Sequence, residues 1–250
     1  MEKQKSKILD GLGKINQFLF APHSCMCCGT ECEDDYYRLC FRCKEKLDFV
    51  TDNFCLKCGA KISRDYDFCI ECKDDPHQFE LARSVFVYDD TCAQIILKFK
   101  YGGAKDFALP LARMLALKYS KSEIIADTVT FVAMPKKREM QRGYNQSFEL
   151  CKEFSLITGI PMHNLLERTR NVPSQTTLGK TDRKENLKGS FRAVNIDQIM
   201  NKEILLIDDV VTTGTTADEC AKTLKEAGAK TVFVLSVAKT PAVTVVEDKT

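Results

Sequence analysis

The sequence lacks four features, each of which would have placed it in a broad class of proteins. No apolar run approaches the roughly 20 residues of a membrane-spanning helix, and residues 1–24 have no continuous apolar core like that of a secretory signal peptide. Neither GxxxxGKS/T nor GxGxxG occurs, which excludes the nucleotide-binding loops built on those motifs. The net charge is only +2, so the chain as a whole has no strong attraction for polyanions. We therefore expect a cytoplasmic protein with no transmembrane segment.

The sequence pattern divides the chain into three units. Residues 1–24 carry apolar side chains at helical spacing, which predicts an N-terminal amphipathic helix packed on the protein, with a membrane-surface helix as the alternative. Residues 25–80 hold ten of the 13 cysteines and form a cysteine-rich module. Residues 81–240 alternate short apolar segments with helical patterns, which predicts an α/β fold with a mostly parallel sheet flanked by helices.

The α/β unit has four predicted strands and four predicted helices. The segment 204–207 is apolar at every position, as expected for a strand buried on both faces. Residues 168–192 lack periodicity, which predicts a long functional loop. The predicted strands are 84–88, 129–133, 204–207 and 231–236, and the predicted helices are 91–100, 106–120, 144–158 and 216–227.

Eight cysteines form an internal repeat of CxxC pairs. The first two pairs recur 30 and 29 residues later. Paired cysteines in a cytosolic protein indicate metal ligands rather than disulfides, and two CxxC pairs supply the four thiolates of a structural zinc site. A module with so few apolar residues needs such a metal to fold. The predicted zinc ligands are Cys25, Cys28, Cys40, Cys43, Cys55, Cys58, Cys69 and Cys72.

The repeat leaves two questions about these ligands open. We favour sequential pairing, in which the first two CxxC motifs bind one ion and the last two bind another; pairing of the two central motifs is the alternative. Cys27 and Cys32 are left over and could replace a ligand of the first site. Cys92, Cys151 and Cys220 fall in helical patterns, and we expect them to be core thiols.

The strand-to-helix segment 204–216 carries the groups that a ribose phosphate requires. Two carboxylates follow the apolar strand, and a Thr/Gly loop then opens a helix. Ligands of open α/β sheets bind at the carboxyl ends of the strands, and a helix N-terminus favours a phosphate. The carboxylates are acceptors for the vicinal hydroxyls of a sugar. The predicted ligand-binding residues are Asp208, Asp209, Thr212, Thr213, Gly214, Thr215 and Thr216.

These motifs together resemble the ComF family of competence-associated proteins, which join a double zinc ribbon to a type I phosphoribosyltransferase domain. The segment 204–216 resembles the phosphoribosyl-pyrophosphate (PRPP) loop of such enzymes, and residues 97–102 resemble the family's LKY-G stretch. Pro135 with residues 142–146 resembles its P…RG-F-NQ motif. Its R…Q…R..N…F loop is matched by Arg168, Gln175, Arg183, Asn186 and Phe191. The resemblance covers about residues 10–240, and the extra Cys27 and Cys32 depart from it.

The resemblance implies a role for each part of the site. Asp208 and Asp209 would contact the ribose hydroxyls of PRPP, and residues 212–216 its 5-phosphate. The turn at Pro135 and Lys136 would approach the pyrophosphate, which Mg2+ accompanies. The loop 168–192 would close over the leaving group. Cations would neutralise that group in a ribosyl-cation-like transition state; the candidates are Lys136, Arg138, Arg142, Arg168, Arg170 and Arg183.

Arg142 and Arg183 are our predicted catalytic residues, because both lie inside the family motifs. No side chain is marked as a general base for the acceptor, since His23, His77 and His163 lie outside the motifs and are predicted to be structural.

The charge distribution adds a second functional hypothesis. Residues 21–78 hold 8 basic and 12 acidic side chains, whereas residues 135–192 hold 12 and 6. A phosphate-bearing partner should therefore bind the second half of the chain. The resemblance implies a role in DNA uptake during natural transformation, as a phosphoribosyltransferase with an unknown acceptor. The alternative is a non-catalytic, PRPP-responsive accessory protein that binds single-stranded DNA or a competence helicase-like ATPase.

Overall fold

The computed structural model describes residues 24–34, 36–169 and 187–242. The predicted N-terminal helix, apart from Ser24, lies outside the described residues. So does most of the predicted loop 168–192, including Arg170, Gln175, Arg183 and Asn186.

The described chain alternates strands and helices from residue 82 onward. The strands are β1 (Ala82–Val87), β2 (Thr128–Phe131), β3 (Leu166–Arg168), β4 (Phe191–Ala193), β5 (Glu203–Val211) and β6 (Thr231–Lys239). The helices are α1 (Phe41–Lys46), α2 (Ile70–Asp74), α3 (Asp90–Tyr101), α4 (Ala108–Ser120), α5 (Lys136–Arg142), α6 (Gln146–Thr158) and α7 (Thr215–Glu226).

A four-stranded sheet in the order β1-β6-β5-β2 lies at the centre, and all of its neighbouring strands are parallel. Both faces are covered. Leu205 and Ile207 of β5 pack in one apolar cluster with α3, α4 and α6. Ile204 and Leu206 pack in a second cluster with α7. Successive side chains of a strand point to opposite faces, so these two clusters are the two sides of one sheet. The predicted fold class, a parallel sheet flanked by helices with an N-terminal four-cysteine module, is confirmed.

The cysteine-rich module wraps around the β1 edge of the sheet. The buried cysteines of residues 25–43 belong to the first cluster and those of residues 55–72 to the second, so the two halves of the module lie on opposite faces. Between them the chain pairs with β1: Val50 N donates to Val85 O at 2.9 Å, and Val87 N donates to Asp48 O at 2.8 Å. The module thereby covers backbone groups that an edge strand would otherwise expose.

The predicted boundaries differ from the structure by up to four residues, and two differences bear on the site. The strand predicted at 204–207 continues to Val211, because β6 pairs with it as far as Lys239. The stretch predicted as a loop at 168–192 has paired ends: β3 and β4 form an antiparallel ribbon in which Arg168 lies opposite Phe191. In the described part of the chain, no helix is long and apolar enough to cross a membrane.

Candidate functional site

Two carboxylates lie at the carboxyl end of the sheet, where β5 extends beyond its neighbour β2. The last paired residue of β2, Phe131, lies opposite Ile207, so Asp208 and Asp209 follow the end of that pairing. Both residues are buried, at 9% and 7% exposure. Asp208 Oδ1 accepts hydrogen bonds from Ser147 Oγ at 3.0 Å and from Asp209 N at 2.8 Å. The carboxylate is thereby fixed by α6 and by its own strand.

Burial and the adjacent charge of Asp209 raise the pKa of Asp208 to about 7, although Lys100 and the two hydrogen bonds act in the opposite direction. A buried carboxyl group resists ionisation because it has lost most of its hydration. The site therefore holds one acid that is readily ionised or protonated near neutral pH.

Lys100, at the end of α3, is the counter-ion of this acidic pair. Its Nζ lies 3.1 Å from Asp209 Oδ2. Burial by itself would lower the pKa of Lys100, but Asp209 and Asp208 outweigh it and raise the pKa above its ordinary value. A lysine thus forms an ion pair with one of the two acids that the sequence assigns to the ribose.

The motif at residues 142–146 ties together the elements around the acids. Arg142 NH2 donates to Tyr101 Oη at 2.8 Å, and the guanidinium stacks on that ring at 4.8 Å. Tyr144 Oη and Gln146 Nε2 both donate to Phe99 O. Asn145 caps α6 and donates to Val132 O at 3.1 Å. The motif therefore fixes the end of α3 and the end of β2 against the start of α6.

The loop 212–216, which we call the phosphate loop, leads into α7 without a side-chain cap. The α7 N-cap is Gly214 at φ +80°, and within the described residues no side chain caps that helix. Asp89 caps α3 and Asn145 caps α6, whereas α1, α2, α4 and α5 also begin without a side-chain cap. The first N–H groups of a helix have no partner inside the helix, so an anion fits at this terminus. Thr213 and Thr215 add hydroxyls, whose oxygens lie 2.8 Å apart.

Two basic residues lie against the phosphate loop. Lys239, only 4% exposed, donates from Nζ to Thr212 O at 2.6 Å. The His77 ring lies against Gly214, so that a β-carbon built there would approach His77 Cε1 to 2.6 Å. The loop is therefore packed from two sides.

Further cations surround the turn after β2. Pro135 is buried and forms the N-cap of α5, and Lys136 begins that helix and is exposed. The Arg168 guanidinium stacks on Phe191 at 4.5 Å, and its buried Nε has no hydrogen-bond partner among the described residues. Burial lowers the pKa of Arg168, and the neighbouring cation of Arg138 adds to this effect. A partly dehydrated arginine next to a second cation suits an anionic ligand.

The structure brings the eight repeat cysteines into two four-thiolate groups. The sulfur atoms within each group all lie within 4.8 Å of one another. The grouping is Cys25, Cys28, Cys40 and Cys43 in one group, and Cys55, Cys58, Cys69 and Cys72 in the other. This is sequential pairing rather than pairing of the central motifs. Four converging thiolates are the donor set of structural zinc, with no position left for a substrate.

The remaining cysteines lie outside both groups. Cys27 Sγ faces Thr91 O at 3.9 Å and Gln94 Oε1 at 3.7 Å on the α3 side, and Cys32 Sγ faces Asp34 O at 3.8 Å. Neither Cys27 nor Cys32 therefore replaces a ligand of the first site. Cys92, Cys151 and Cys220 are fully buried, as predicted for core thiols.

Sequence reasoning missed four side chains that complete the site. Lys100 lies within residues 97–102, which resemble a family motif, but the motif did not indicate that this lysine pairs with the acids. Ser147, His77 and Lys239 gave no local signal, because each reaches the site from a distant part of the chain.

Comparisons with known proteins match both parts of this architecture. The double zinc ribbon domain model matches residues 15–75. Competence protein F of Haemophilus influenzae is 26% identical over 208 residues, which cover 80% of this chain and 90% of that protein. DNA utilization protein YhgH of Escherichia coli O6:H1 is 28% identical over 228 residues, covering 89% and 99%.

A solved structure, glutamine PRPP amidotransferase from B. subtilis complexed with ADP and GMP, has 24% identity and a TM-score of 0.39, and the match covers 56% of this chain and 30% of that one. The zinc ribbon match and the near full-length relatives agree with the motifs in the sequence: over most of its length the chain is similar to the ComF family of competence-associated proteins.

Proposed function

We propose that this chain binds PRPP at the carboxyl end of its sheet and acts in DNA uptake. One observation carries the proposal: two buried carboxylates on β5 are followed, within one short loop, by a helix N-terminus that no described side chain caps. The carboxylates provide acceptors for a diol, and the free N–H groups provide donors for a phosphate. A ribose 5-phosphate presents these two groups at the two ends of one small ring.

Each residue then has a defined task. Asp208 and Asp209 accept hydrogen bonds from the ribose hydroxyls, and binding displaces Lys100 from Asp209. The 5-phosphate accepts from the backbone and hydroxyl groups of Thr212, Thr213, Gly214, Thr215 and Thr216. Because Lys100 is already beside the acids, a short movement would take its ammonium towards the pyrophosphate.

The cations near α5 are suited to the leaving group. Pro135 and Lys136 form the turn that approaches the pyrophosphate, with Arg138 and Arg168 beside it. Arg142, which is held against Tyr101, and Arg183 keep their proposed catalytic roles from the family motifs alone. Mg2+ bound to PRPP would neutralise part of the pyrophosphate charge.

The names of the relatives support the biological role. One is a competence protein and another a DNA utilization protein, and both match most of this chain. We propose that this protein serves the same process in the cytoplasm. In the enzymatic form of the proposal, it is a phosphoribosyltransferase whose acceptor is unidentified.

A second candidate is an accessory protein that binds PRPP without turnover. The helix α5 supports it: none of its residues is buried, and Lys136 and Lys137 are exposed. Such a surface suits the phosphates of single-stranded DNA. DNA bound there could in turn meet a competence helicase-like ATPase.

Calorimetric titration of PRPP with Mg2+ into the zinc-loaded protein tests the binding site. Asp209→Asn should weaken PRPP binding at least about tenfold, because it removes a charge-assisted acceptor. Asp197→Asn is the matched control, since Asp197 is exposed in the turn before β5, at the opposite end of the sheet. Unchanged affinity in Asp209→Asn would contradict the ribose assignment, and no binding by the wild-type protein would refute the proposal.

Pyrophosphate release across a panel of nucleobases then separates the two candidates. Release identifies a transferase and its acceptor. PRPP binding without release favours the accessory protein, and DNA affinity is then measured with and without PRPP.

A further inference from the structure

The segment that leaves the second cysteine group reaches directly to the phosphate loop. Five residues after Cys72, the His77 side chain is 5% exposed and its ring covers Gly214. Cys72 and Phe79 share an apolar cluster with Ala217 and Cys220 of α7. The second ribbon and the helix behind the phosphate loop are therefore parts of one packed core.

Two contacts hold the His77 ring in place, and a third fixes its carboxylate partner Asp218. Its Nδ1 lies 2.7 Å from Asp218 Oδ2, and an ionised carboxylate only accepts, so Nδ1 carries the proton. The other oxygen of Asp218 accepts from Gln78 N at 2.8 Å. The ring also stacks on Phe79, with 4.5 Å between centroids and 17° between planes. The ring cannot turn away from Gly214 without losing these contacts.

Asp218 in turn connects His77 to the backbone of the loop. Its N–H donates to Gly214 O at 2.8 Å, which is the first hydrogen bond of α7. A carboxylate in the first turn would also compete with an incoming phosphate for the positive end of the helix. Pairing with His77 and Gln78 holds the Asp218 carboxylate towards residues 77 and 78.

Lys239 supports the same loop at its other end. Its ammonium donates to Thr212 O. The loop is thus held at Thr212 by Lys239 and at Gly214 by His77.

We propose that His77 is a positioning residue that holds the phosphate loop in its anion-binding conformation and so links the second zinc ribbon to PRPP binding. The identity of the ligand rests on the proposed function, whereas the contacts of His77 with the loop do not depend on it. His77 touches the loop and Asp218 and acts on the ligand only through them.

Two variants of His77, studied in the full zinc-loaded protein, separate its contacts. His77→Ala removes both the ring and the donor to Asp218. His77→Asn keeps a donor near the position of Nδ1 and removes the ring from Gly214. His163→Ala is the matched control, because His163 bonds Thr128 at the amino end of the sheet, away from the loop.

Hydrogen exchange of the amides of residues 213–216 is the first readout, in the absence of ligand. We expect exchange about tenfold faster in His77→Ala, a smaller change in His77→Asn, and none in His163→Ala. PRPP affinity should follow the same order, with a loss of about tenfold in His77→Ala, which corresponds to one lost hydrogen bond with its packing.

Loop exchange and PRPP affinity that are both unchanged in His77→Ala would overturn the inference. The inference would also be overturned if His77→Ala lowered the melting temperature as much as His163→Ala does and left the exchange of the loop amides unchanged. If the wild-type protein binds no PRPP, the proposed function fails, and loop exchange alone still decides whether His77 positions the loop.

Discussion

Replacing Gly214 with alanine should damage the phosphate loop for two separable reasons. The backbone at Gly214 has φ +80°, a left-handed conformation that costs an L-residue about 1–2 kcal/mol. The new β-carbon would also lie 2.6 Å from His77 Cε1. A ring held by Asp218 and Phe79 cannot move freely, so overpacking adds about 1–3 kcal/mol. Gly214→Ala should therefore cost about 2–5 kcal/mol.

Gly159→Ala supplies the matched control for the backbone part. Gly159 ends α6 at φ +74°, and no described atom other than its own chain neighbours would lie within 4 Å of its β-carbon. It should therefore show only the left-handed cost of about 1–2 kcal/mol. In a chain of this size 1 kcal/mol shifts the melting temperature by about 2–4 °C. Differential scanning calorimetry of both variants should show a fall for Gly214→Ala roughly twice that for Gly159→Ala.

A double-mutant cycle then isolates the contact with His77. In the His77→Ala background the space beside Gly214 is open, so Gly214→Ala should cost no more than Gly159→Ala does. The coupling between the two positions should be about 1–3 kcal/mol. Equal costs for Gly214→Ala and Gly159→Ala in the wild-type background would refute this reasoning. So would a Gly214→Ala cost that His77→Ala leaves unchanged.

Three further predictions concern zinc, pH and DNA. A chelator should strip the first cysteine group before the second, because Cys28 is exposed whereas all four thiols of the second group are buried; residues 24–47 should then become protease-sensitive first, and metal loss with no such change would contradict a structural role. The raised pKa of Asp208 means that its contribution to stability is present below about pH 4 and is lost as the pH rises through about 7; the melting temperature should show this slope, and Asp208→Asn should abolish it. The pH dependence of PRPP affinity should be opposite to that of stability. Affinity should weaken from pH 8 to 6, since the ionised carboxylate of Asp208 is the better acceptor. Charge reversal at Arg142 and Arg183 should weaken single-stranded DNA binding and lower its salt slope by about 1–2; unchanged affinity would remove residues 135–192 from the DNA site.

Local sequence pattern was sufficient for the elements of the sheet and its helices. Period and apolar content located β5, β6, α6 and α7 to within a few residues, because each is an ordinary buried strand or amphipathic helix. The end of β5 was predicted too early, since polar Asp208 and Asp209 look like the end of a strand. Only the long-range pairing of Asp208 with Ser236 and of Val211 with Lys239 shows that the strand continues.

The candidate site shows the same division between local and long-range information. The acids and the phosphate loop were predictable, because strand, carboxylates, loop and helix follow each other in the chain. Lys100 has no role in the sequence-based prediction and His77 only a structural one, since they reach the site from segments 109 and 137 residues away in sequence from the partners they meet. A polar linker such as 73–80 gives no sign that one of its side chains is buried against a loop.

Each ribbon contacts a different part of the candidate site. The first is joined to the helix that carries Lys100, and the second leads to the phosphate loop. The first ribbon is fastened to α3, where Lys98 donates to Cys27 O at 2.5 Å. Two residues later on the same helix, Lys100 pairs with Asp209. The second ribbon leads to His77 and so to Gly214. A zinc module that served only to cover the β1 edge would need neither connection. Because metal binding is coupled to the folding of each ribbon, we expect the Lys100–Asp209 pair and the phosphate loop to depend on different metal ions.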